Sequence, residues 1–335
     1  MLAYTIRRVL ISIPVLIGSS ILVFLMVKFS GDPLEPLKLR NPPAPKHTIE
    51  LEEHRMGLDR SWPEQYWMWI KGLILHGTFG PGVHSTDNLG SEIGSALWVT
   101  VRLVFFSVLI AVILAVITGV VSAVKQYSGI DYTATFFGFL FLSMPVFWFA
   151  VLLKSAGIWY NQNISGDTTF ATIGDHSVLL PSGVSYQDAS FWTKVGDVAG
   201  HMILPTIVLG LAGYAAWSRF TRASMLEVLN SDYVRLARAK GLRSRRVLVR
   251  HALRNALIPL TTVTALDIAA LLGGAIVTET VFQWHGMGFL FVQSLRDIDA
   301  YLMMGWLLVT AAIVIIFNLI ADLMYGVLDP RIRHA

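Results

Sequence analysis

The residue types that usually carry catalysis are sparse in this sequence and form no catalytic pattern. The chain has no cysteine, which excludes disulfides, thiolate nucleophiles and cysteine-ligated metal centres. Its nine histidines are scattered, and none belongs to a His-Glu-x-x-His metal site. The sequence also lacks a Gly-x-x-x-x-Gly-Lys-Ser/Thr loop, whose amides would hold nucleotide phosphates. These observations argue against a catalytic role for this chain.

Basic residues form the most concentrated chemical feature. Ten of them lie in residues 219–254, against the two acidic residues Glu227 and Asp232. Such a segment can bind anionic lipid headgroups, fix the topology of a membrane protein or dock onto another protein. Because the charge is placed between apolar stretches, nucleic acid is not the expected partner.

Within this segment, residues 232–242 have the signals of a complete short helix. Ser231 or Asp232 can cap the first amides. Arg238 and Lys240 suit the negative end of the helix dipole, and Gly241 can adopt the left-handed conformation that stops a helix. The sequence therefore predicts a helix with its start, body and end all encoded locally.

Small residues on this helix favour docking over simple lipid binding. Ala237 and Ala239, followed by Gly241, would let the backbone of another protein approach closely. A second helix is expected to begin near Ser244 and to run toward the next apolar stretch at Pro259.

Long apolar stretches flank these polar segments. With 54% hydrophobic and 14% charged residues, the composition lies outside the balance of a water-soluble domain. A span needs roughly 20 helical residues, and backbone amides in lipid must be satisfied within the segment. The prediction is an all-α, polytopic membrane protein with six transmembrane helices. The predicted spans are residues 9–27, 103–124, 133–153, 201–217, 258–277 and 301–321.

The first stretch could also be read as a secretory signal. Its apolar run exceeds the roughly 7 to 15 residues of a signal core, and no small-residue cleavage pattern follows it. We therefore expect it to remain as a helix.

The distribution of basic residues predicts the orientation, because Lys and Arg near span ends stay on the cytoplasmic side. Arg7 and Arg8 place the N-terminus inside, and six crossings return the C-terminus, with Arg331 and Arg333, to the same side. The outer segment 30–96 carries six basic and nine acidic residues. We therefore expect both termini in the cytoplasm.

The chain divides into three predicted parts. Residues 1–30 hold the N-terminus and first span, residues 31–96 form an extracytoplasmic loop, and residues 97–335 form a core with five spans and a cytoplasmic segment at 219–257. In the outer loop, Ser61-Trp62-Pro63-Glu64 is a capping-box pattern ahead of an aromatic, apolar run. It predicts a helix at the membrane surface, either a lipid anchor or a docking face.

Five residues within the spans could shape a transport pathway. Pro145 and Pro205 remove helical hydrogen bonds and could act as hinges, although proline kinks are also common in membrane helices. Gly273 and Gly274 would permit bending or close helix crossing. Asp267 is costly in lipid and should face protein or water, in a pathway or in a capping role.

Several motifs together resemble one family of transport proteins. Residues 232–241, Asp-Tyr-Val-Arg-Leu-Ala-Arg-Ala-Lys-Gly, and residues 250–259, Arg-His-Ala-Leu-Arg-Asn-Ala-Leu-Ile-Pro, resemble the cytoplasmic motif of binding-protein-dependent ABC permeases of the oligopeptide and dipeptide branch. Arg235 and Leu236 stand where the broader family has Glu and Ala, a variation that the peptide branch shares. The likeness covers nearly the whole chain, through residues 31–33, 143–148, 201–205, 273–275, 279–282, 286–288 and 328–333.

The resemblance implies the fold of a type I ABC importer subunit that forms half of a translocation pathway. The short helix would lie in a groove of an ATPase subunit. Closure of the ATPase dimer would then move the spans between inward-open and outward-open states, which is alternating access. ATP and Mg would be bound by two partner ATPase subunits or domains, and this chain would hold no cofactor or metal. The coupling residues implied are Asp232, Tyr233, Arg235, Ala237, Arg238, Ala239, Lys240, Gly241 and Leu242.

Further partners and the cargo also follow from the resemblance. A second homologous permease subunit would complete the pathway in a bacterial inner membrane, and an extracytoplasmic solute-binding protein would deliver the substrate. Peptides are the expected cargo, while nickel, glutathione or another small solute stays open.

Two other classes compete with this interpretation. An ion-coupled secondary transporter would also have several spans and intramembrane carboxylates, but it predicts inverted repeats with paired broken helices, which the sequence does not show. An intramembrane enzyme would need the nucleophile or metal patterns that are missing.

Overall fold

The computed structural model describes residues 2–42, 44–82, 89–166, 168–180, 183–272 and 275–328. In that part of the chain one isolated bridge joins Leu179 to Ser185, and every other regular element is helical. The predicted all-α class is confirmed. The helices are α1 (Leu2–Ser30), α2 (Glu35–Lys38), α3 (Lys46–Arg55), α4 (Trp62–His76), α5 (Leu89–Val124), α6 (Gly129–Ser143), α7 (Val146–Tyr160), α8 (Phe191–Leu229), α9 (Asp232–Ala239), α10 (Ser244–Arg246), α11 (Arg254–Leu272), α12 (Ile276–Phe282), α13 (Met287–Arg296) and α14 (Ala300–Leu328), with π-helical turns at Asn161–Ser165 and Val247–Leu253 and a 3-10 turn at Tyr186–Asp188.

Five helices among the described residues are long and apolar enough to cross a membrane. They are α1, α5, α8, α14 and the continuous helix Ser244–Leu272, which contains α10, a π-helical turn and α11. A sixth candidate is the pair formed by α6 and the helix Val146–Ser165, bent by 103° at a short break. The number of spans is therefore six if the bent pair is one crossing.

Four predicted spans differ from the structure in their course or their ends. The predicted span 133–153 is not one straight helix, because Met144 and Pro145 are extended, with ψ of 125° and 130°. Proline lacks the N–H that a continuing helix needs and disfavours helical geometry in the residue before it. The other three differ in their ends. The span 103–124 is the second part of α5, which begins at Leu89. The span 201–217 is the centre of the 39-residue α8, and the span 258–277 stops at Leu272, before α12.

The first of two compact units comprises Met1–Thr100, Leu272–Ile276 and His285–Leu319. Its core buries large aromatic side chains whose polar atoms are satisfied by backbone carbonyls. The Tyr301 hydroxyl donates to the Met56 carbonyl at 2.5 Å, and the Trp306 Nε1–H donates to the Met287 carbonyl at 2.6 Å. These bonds avoid the cost of burying an unpaired polar group.

The capping box predicted in the outer loop is present at the start of α4. The Ser61 N–H donates to Glu64 Oε2 at 3.1 Å, so the two residues cap the helix as the pattern indicates. Trp69 is buried and donates to the Phe79 carbonyl at 3.0 Å, whereas Trp67 is exposed. The choice between a lipid anchor and a docking face stays a prediction.

The second unit comprises Val101–Leu271, Val277–Trp284 and Ile320–Ala335. Its frame is the close approach of α5 and α8 at Gly119, where an added Cβ would lie 2.7 Å from the Ser218 carbonyl oxygen. Only glycine permits this approach without a shift of one helix. Nearby, Ala115 packs in a buried cluster with Tyr214 and Trp217.

One ion pair and two hydrogen bonds hold the segment between α7 and α8 within the second unit. Arg102 of α5 contacts Asp175 at 2.5 Å, and Asp197 of α8 accepts from the N–H and hydroxyl of Ser177 at 2.8 and 2.7 Å. This segment is therefore held to both α5 and α8.

Candidate docking site

The helix α9 spans Asp232–Ala239, inside the predicted range 232–242. Ser231 occupies the residue before the helix, but its hydroxyl donates backward to the Val228 carbonyl at 2.6 Å and caps no amide. Asp232 pairs instead with Arg235 at 2.5 Å. The helix starts where the sequence predicts, whereas the expected side-chain cap does not form.

The end of α9 follows the predicted pattern. Gly241 has φ of +74°, and its N–H donates to the Arg238 carbonyl at 3.0 Å. Lys240 and Arg238 are exposed beside the last carbonyl groups. The left-handed stop at Gly241 is confirmed.

One face of α9 is buried against its own unit. Val234 and Ala237 pack in an apolar cluster with residues from α5, α8 and the helix after Ser244, and the half-buried Leu242 packs against the same cluster. We call this cluster the bed of α9. Its other buried members are Ala123, Met225, Val247, Ala252 and Ala256.

This burial corrects one expectation. Ala237 does not offer a small surface to a partner, because its side chain fills the contact between α9 and the bed. The spacing of three residues between Val234 and Ala237 places both on one side of the helix. Ala239 lies outside that side and is exposed.

The other face of α9 is open and carries both apolar and basic groups. Tyr233 and Leu236 are exposed, with 56% of Leu236 accessible. Asp232, Arg235 and Lys240 are exposed around them. Tyr233 and Leu236 therefore form an exposed apolar pair surrounded by charged residues, on a helix whose opposite face is buried. Such a surface suits a protein partner.

The predicted second helix begins at Ser244 and continues without a break into the apolar helix that ends at Leu272. The π-helical turn Val247–Leu253 lies where the helix passes under α9. The Ser224 hydroxyl donates to the Ala256 carbonyl at 2.9 Å, which ties α8 to this helix. α9 and a helix long and apolar enough to cross a membrane are thus packed together.

An ion pair with a buried carboxylate lies beside the bed and was not predicted from the sequence. Asp131, in the first turn of α6, is bound by Arg222 of α8 through two bonds of 2.7 and 2.8 Å. It also accepts from the Ser122 hydroxyl and from the Tyr127 N–H. The partners lie far apart in sequence, so no local pattern could have indicated the pair.

Comparison with known families bears directly on this site. The model of the binding-protein-dependent transport system inner membrane component matches residues 111–334, which include α9 and its bed. The chain belongs to this family. A companion model for the N-terminal part of such membrane components matches residues 1–101.

Curated relatives of this permease align over the full chain. The dipeptide transport system permease protein DppB of Escherichia coli K12 is 37% identical over 340 residues, covering 100% of this chain and 99% of that protein. The oligopeptide transport system permease protein AppB of Bacillus subtilis 168 is 37% identical over 336 residues and all of both chains. OppB of Mycobacterium tuberculosis H37Rv is 34% identical over 333 residues, with 99% of each chain covered.

A solved structure shares the fold of this permease. A chain from the inward-facing MetNI methionine ABC transporter superposes with a TM-score of 0.54, over 71% of this chain and 97% of that chain. The identity is 16%, so the likeness concerns the fold alone.

The described members of the predicted hinge and pathway set of this permease lie on three different segments. Pro145 lies at the break between α6 and α7, whereas Pro205 is buried inside the continuous α8. Asp267 is half-buried in α11 and accepts from Trp217 Nε1 at 2.7 Å. Gly273 and Gly274 lie outside the described residues.

Proposed function

We propose that this permease forms half of the pathway of an ATP-driven importer for dipeptides or oligopeptides, and that α9 is its contact with an ATPase subunit. A second homologous permease would form the other half, and an extracytoplasmic binding protein would deliver the cargo. Two ATPase subunits would bind ATP and Mg, since the sequence of this chain has no phosphate-binding loop.

The observation that carries this proposal is the two-sided packing of α9. Val234 and Ala237 fix the helix to the ends of membrane-crossing helices, while Tyr233 and Leu236 remain exposed. When a partner displaces a helix held in this way, the displacement is transmitted to the membrane-crossing helices on which it packs. The exposed basic residues around it also suit a cytoplasmic position.

The peptide cargo is supported by the relatives. The names of DppB, AppB and OppB describe dipeptide and oligopeptide transport systems, and each aligns over 99% or more of this chain. Nickel and glutathione are the alternatives. Identifying the ligand that co-purifies with the cognate binding protein distinguishes them, and a bound metal complex or glutathione would overturn the peptide assignment.

The docking role is tested by co-purification of this permease with its candidate ATPase partners. Replacing exposed Leu236 with Ala should weaken the complex and lower transport, because the substitution removes an apolar contact at the centre of the open face. Leu51→Ala is a matched control, since Leu51 of α3 is equally exposed at 56% but lies in the predicted outer loop. Equal ATPase recovery with Leu236→Ala, Leu51→Ala and the unaltered permease would contradict the docking role.

A further inference from the structure

We propose that Asp131 and Arg222 are positioning residues that make α6 move together with the docking helix α9. This inference rests on the proposed function, in which α9 receives the motion of an ATPase. The pair would act as the joint between the bed of α9 and the first half of the bent span.

The geometry of the pair fixes both partners. Arg222 Nε donates to Asp131 Oδ1 at 2.7 Å, and Nη2 donates to Oδ2 at 2.8 Å. The guanidinium and the carboxylate thus form a bidentate pair, edge to edge. Oδ1 also accepts from the Ser122 hydroxyl, and Oδ2 from the Tyr127 N–H at 3.0 Å. Each carboxylate oxygen thus has two donors, and the buried charge of Asp131 is fully compensated.

The joint and the bed are built from the same stretches of chain. Ser122, which donates to Asp131, precedes Ala123, a buried member of the bed. Arg222 lies one helical turn before Met225, which is buried under α9. A displacement of α9 therefore moves the α5 and α8 ends that hold Asp131.

Much of the surface of α6 is open, apart from the side that packs on α8. Tyr132, Phe136 and Phe139 are all more than half exposed in this chain. On the side that packs on α8, Gly138 of α6 lies at ordinary van der Waals distance, since an added Cβ would be 3.8 Å from the Arg219 side chain. These apolar contacts can slide, whereas the paired bonds at Asp131 fix both the position and the rotation of the first turn of α6.

The two parallel hydrogen bonds between Arg222 and Asp131, more than their charges, would position α6. A buried ion pair usually adds little net stability over apolar residues of similar volume, so stability alone does not explain it. A lysine at position 222 would keep the charge but could not make two parallel bonds. Arg222→Lys therefore separates orientation from charge.

The first test measures coupling in vesicles that contain the complete transporter with its ATPase subunits and binding protein. Asp131→Asn and Arg222→Lys should lower solute transport per ATP hydrolysed by about tenfold, while ATP hydrolysis itself persists. Asp131→Glu, which keeps the charge but shifts the carboxylate, should give an intermediate ratio.

Asp175→Asn is the matched control. Asp175 forms another ion pair in the same unit, with Arg102 at 2.5 Å, and neither residue is a member of the bed. It should reduce thermal stability without changing the ratio of transport to ATP hydrolysis. Equal ratios in Asp131→Asn and Asp175→Asn, or an unchanged ratio in Arg222→Lys, would overturn the proposal.

The second test follows the motion directly and needs no cargo. Because the chain has no cysteine, spin labels can be placed by Tyr132→Cys on α6 and Glu227→Cys on α8, both exposed positions. Their distance should stay narrowly distributed with and without trapped nucleotide, and it should broaden or shift in Arg222→Lys. A distribution unaffected by Arg222→Lys in both states would contradict the joint.

A single label next to α9 keeps the two proposals distinguishable. If trapped nucleotide leaves the environment of a label at Lys240→Cys unchanged in the otherwise unaltered transporter, the docking role of α9 fails. If that label responds while Arg222→Lys leaves α6 and coupling unaffected, only the joint fails.

Discussion

At the residue scale, Gly241 illustrates how a single backbone conformation ends α9, the proposed docking helix. Its φ of +74° is unfavourable for any residue with a Cβ, although an added Cβ would meet no atom within 4 Å. Gly241→Ala should therefore cost about 1 to 2 kcal/mol of local stability through backbone strain alone. Hydrogen exchange of the α9 amides should show earlier opening, and association with the ATPase should weaken.

Gly77 provides the control for this prediction. It ends α4 with φ of +64° and also has open space around the position of a Cβ. Gly77→Ala should carry the same strain and leave ATPase association unchanged. If both substitutions weaken the association equally, the effect of Gly241→Ala reflects general destabilisation.

Asp267 raises a different question at this scale, because one residue can serve structure and transport. Its bond from Trp217 Nε1 at 2.7 Å stabilises a carboxylate that would be costly in lipid. Asp267→Asn keeps an acceptor oxygen for Trp217 and removes only the charge, so folded yield should be retained while transport falls several-fold. Trp217→Phe should instead lower stability by about 1 to 3 kcal/mol, because the carboxylate loses its donor.

Transport assays and thermal unfolding of the two variants separate these effects. Full transport by Asp267→Asn would mean that the carboxylate has no part in the pathway and serves only packing.

At the element scale, the two alanines of α9 have opposite surroundings and should respond differently to the same substitution. Ala239→Trp adds bulk to the exposed side and should block ATPase docking while α9 stays folded. Ala237→Trp adds bulk inside the bed and should displace α9 itself, with a loss of about 1 to 3 kcal/mol from overpacking. Hydrogen exchange of α9 and ATPase co-purification report the two outcomes separately. A folded, ATPase-binding Ala239→Trp variant would argue against this face as the docking surface.

The same helix shows what could be predicted from the sequence. Its first residue, its left-handed stop and the start of the next helix at Ser244 lie where local signals predict them. The predicted cap does not form, and the helix ends at Ala239, before the predicted Leu242. The side on which Ala237 lies depends on contacts with α5 and α8, which no local pattern contains. The pairing of Asp131 with Arg222 depends in the same way on how two distant segments meet.

The bend between α6 and α7 could be predicted only in part from the sequence. Pro145 indicated an interruption, but the angle of 103° arises because Met144 and Pro145 are both extended, so the chain turns sharply where a kinked helix would have continued. Hydropathy alone reads α6 and α7 as one span, because both sides of the break are equally apolar.

At the scale of the whole molecule, this bend determines the topology. If the pair formed by α6 and the helix Val146–Ser165 crosses the membrane once, the chain has six crossings and the ten basic residues of 219–254 lie with Arg7 on the cytoplasmic side. If the pair entered and left on one side, five crossings would place that basic segment outside, against the usual retention of Lys and Arg in the cytoplasm. The charge distribution therefore favours a bent helix pair that crosses.

Three single-cysteine variants of this cysteine-free chain distinguish the two topologies. With six crossings, Val178→Cys should react with an impermeant thiol reagent from the outside and Lys240→Cys only after the membrane is opened; five crossings reverse both results. Leu51→Cys is the control, because it lies outside in either case, and all three positions are exposed. Outside labelling of Lys240→Cys would remove α9 from the cytoplasm, and the docking role would fall with it, since an ATPase that uses cytoplasmic ATP could not reach the helix.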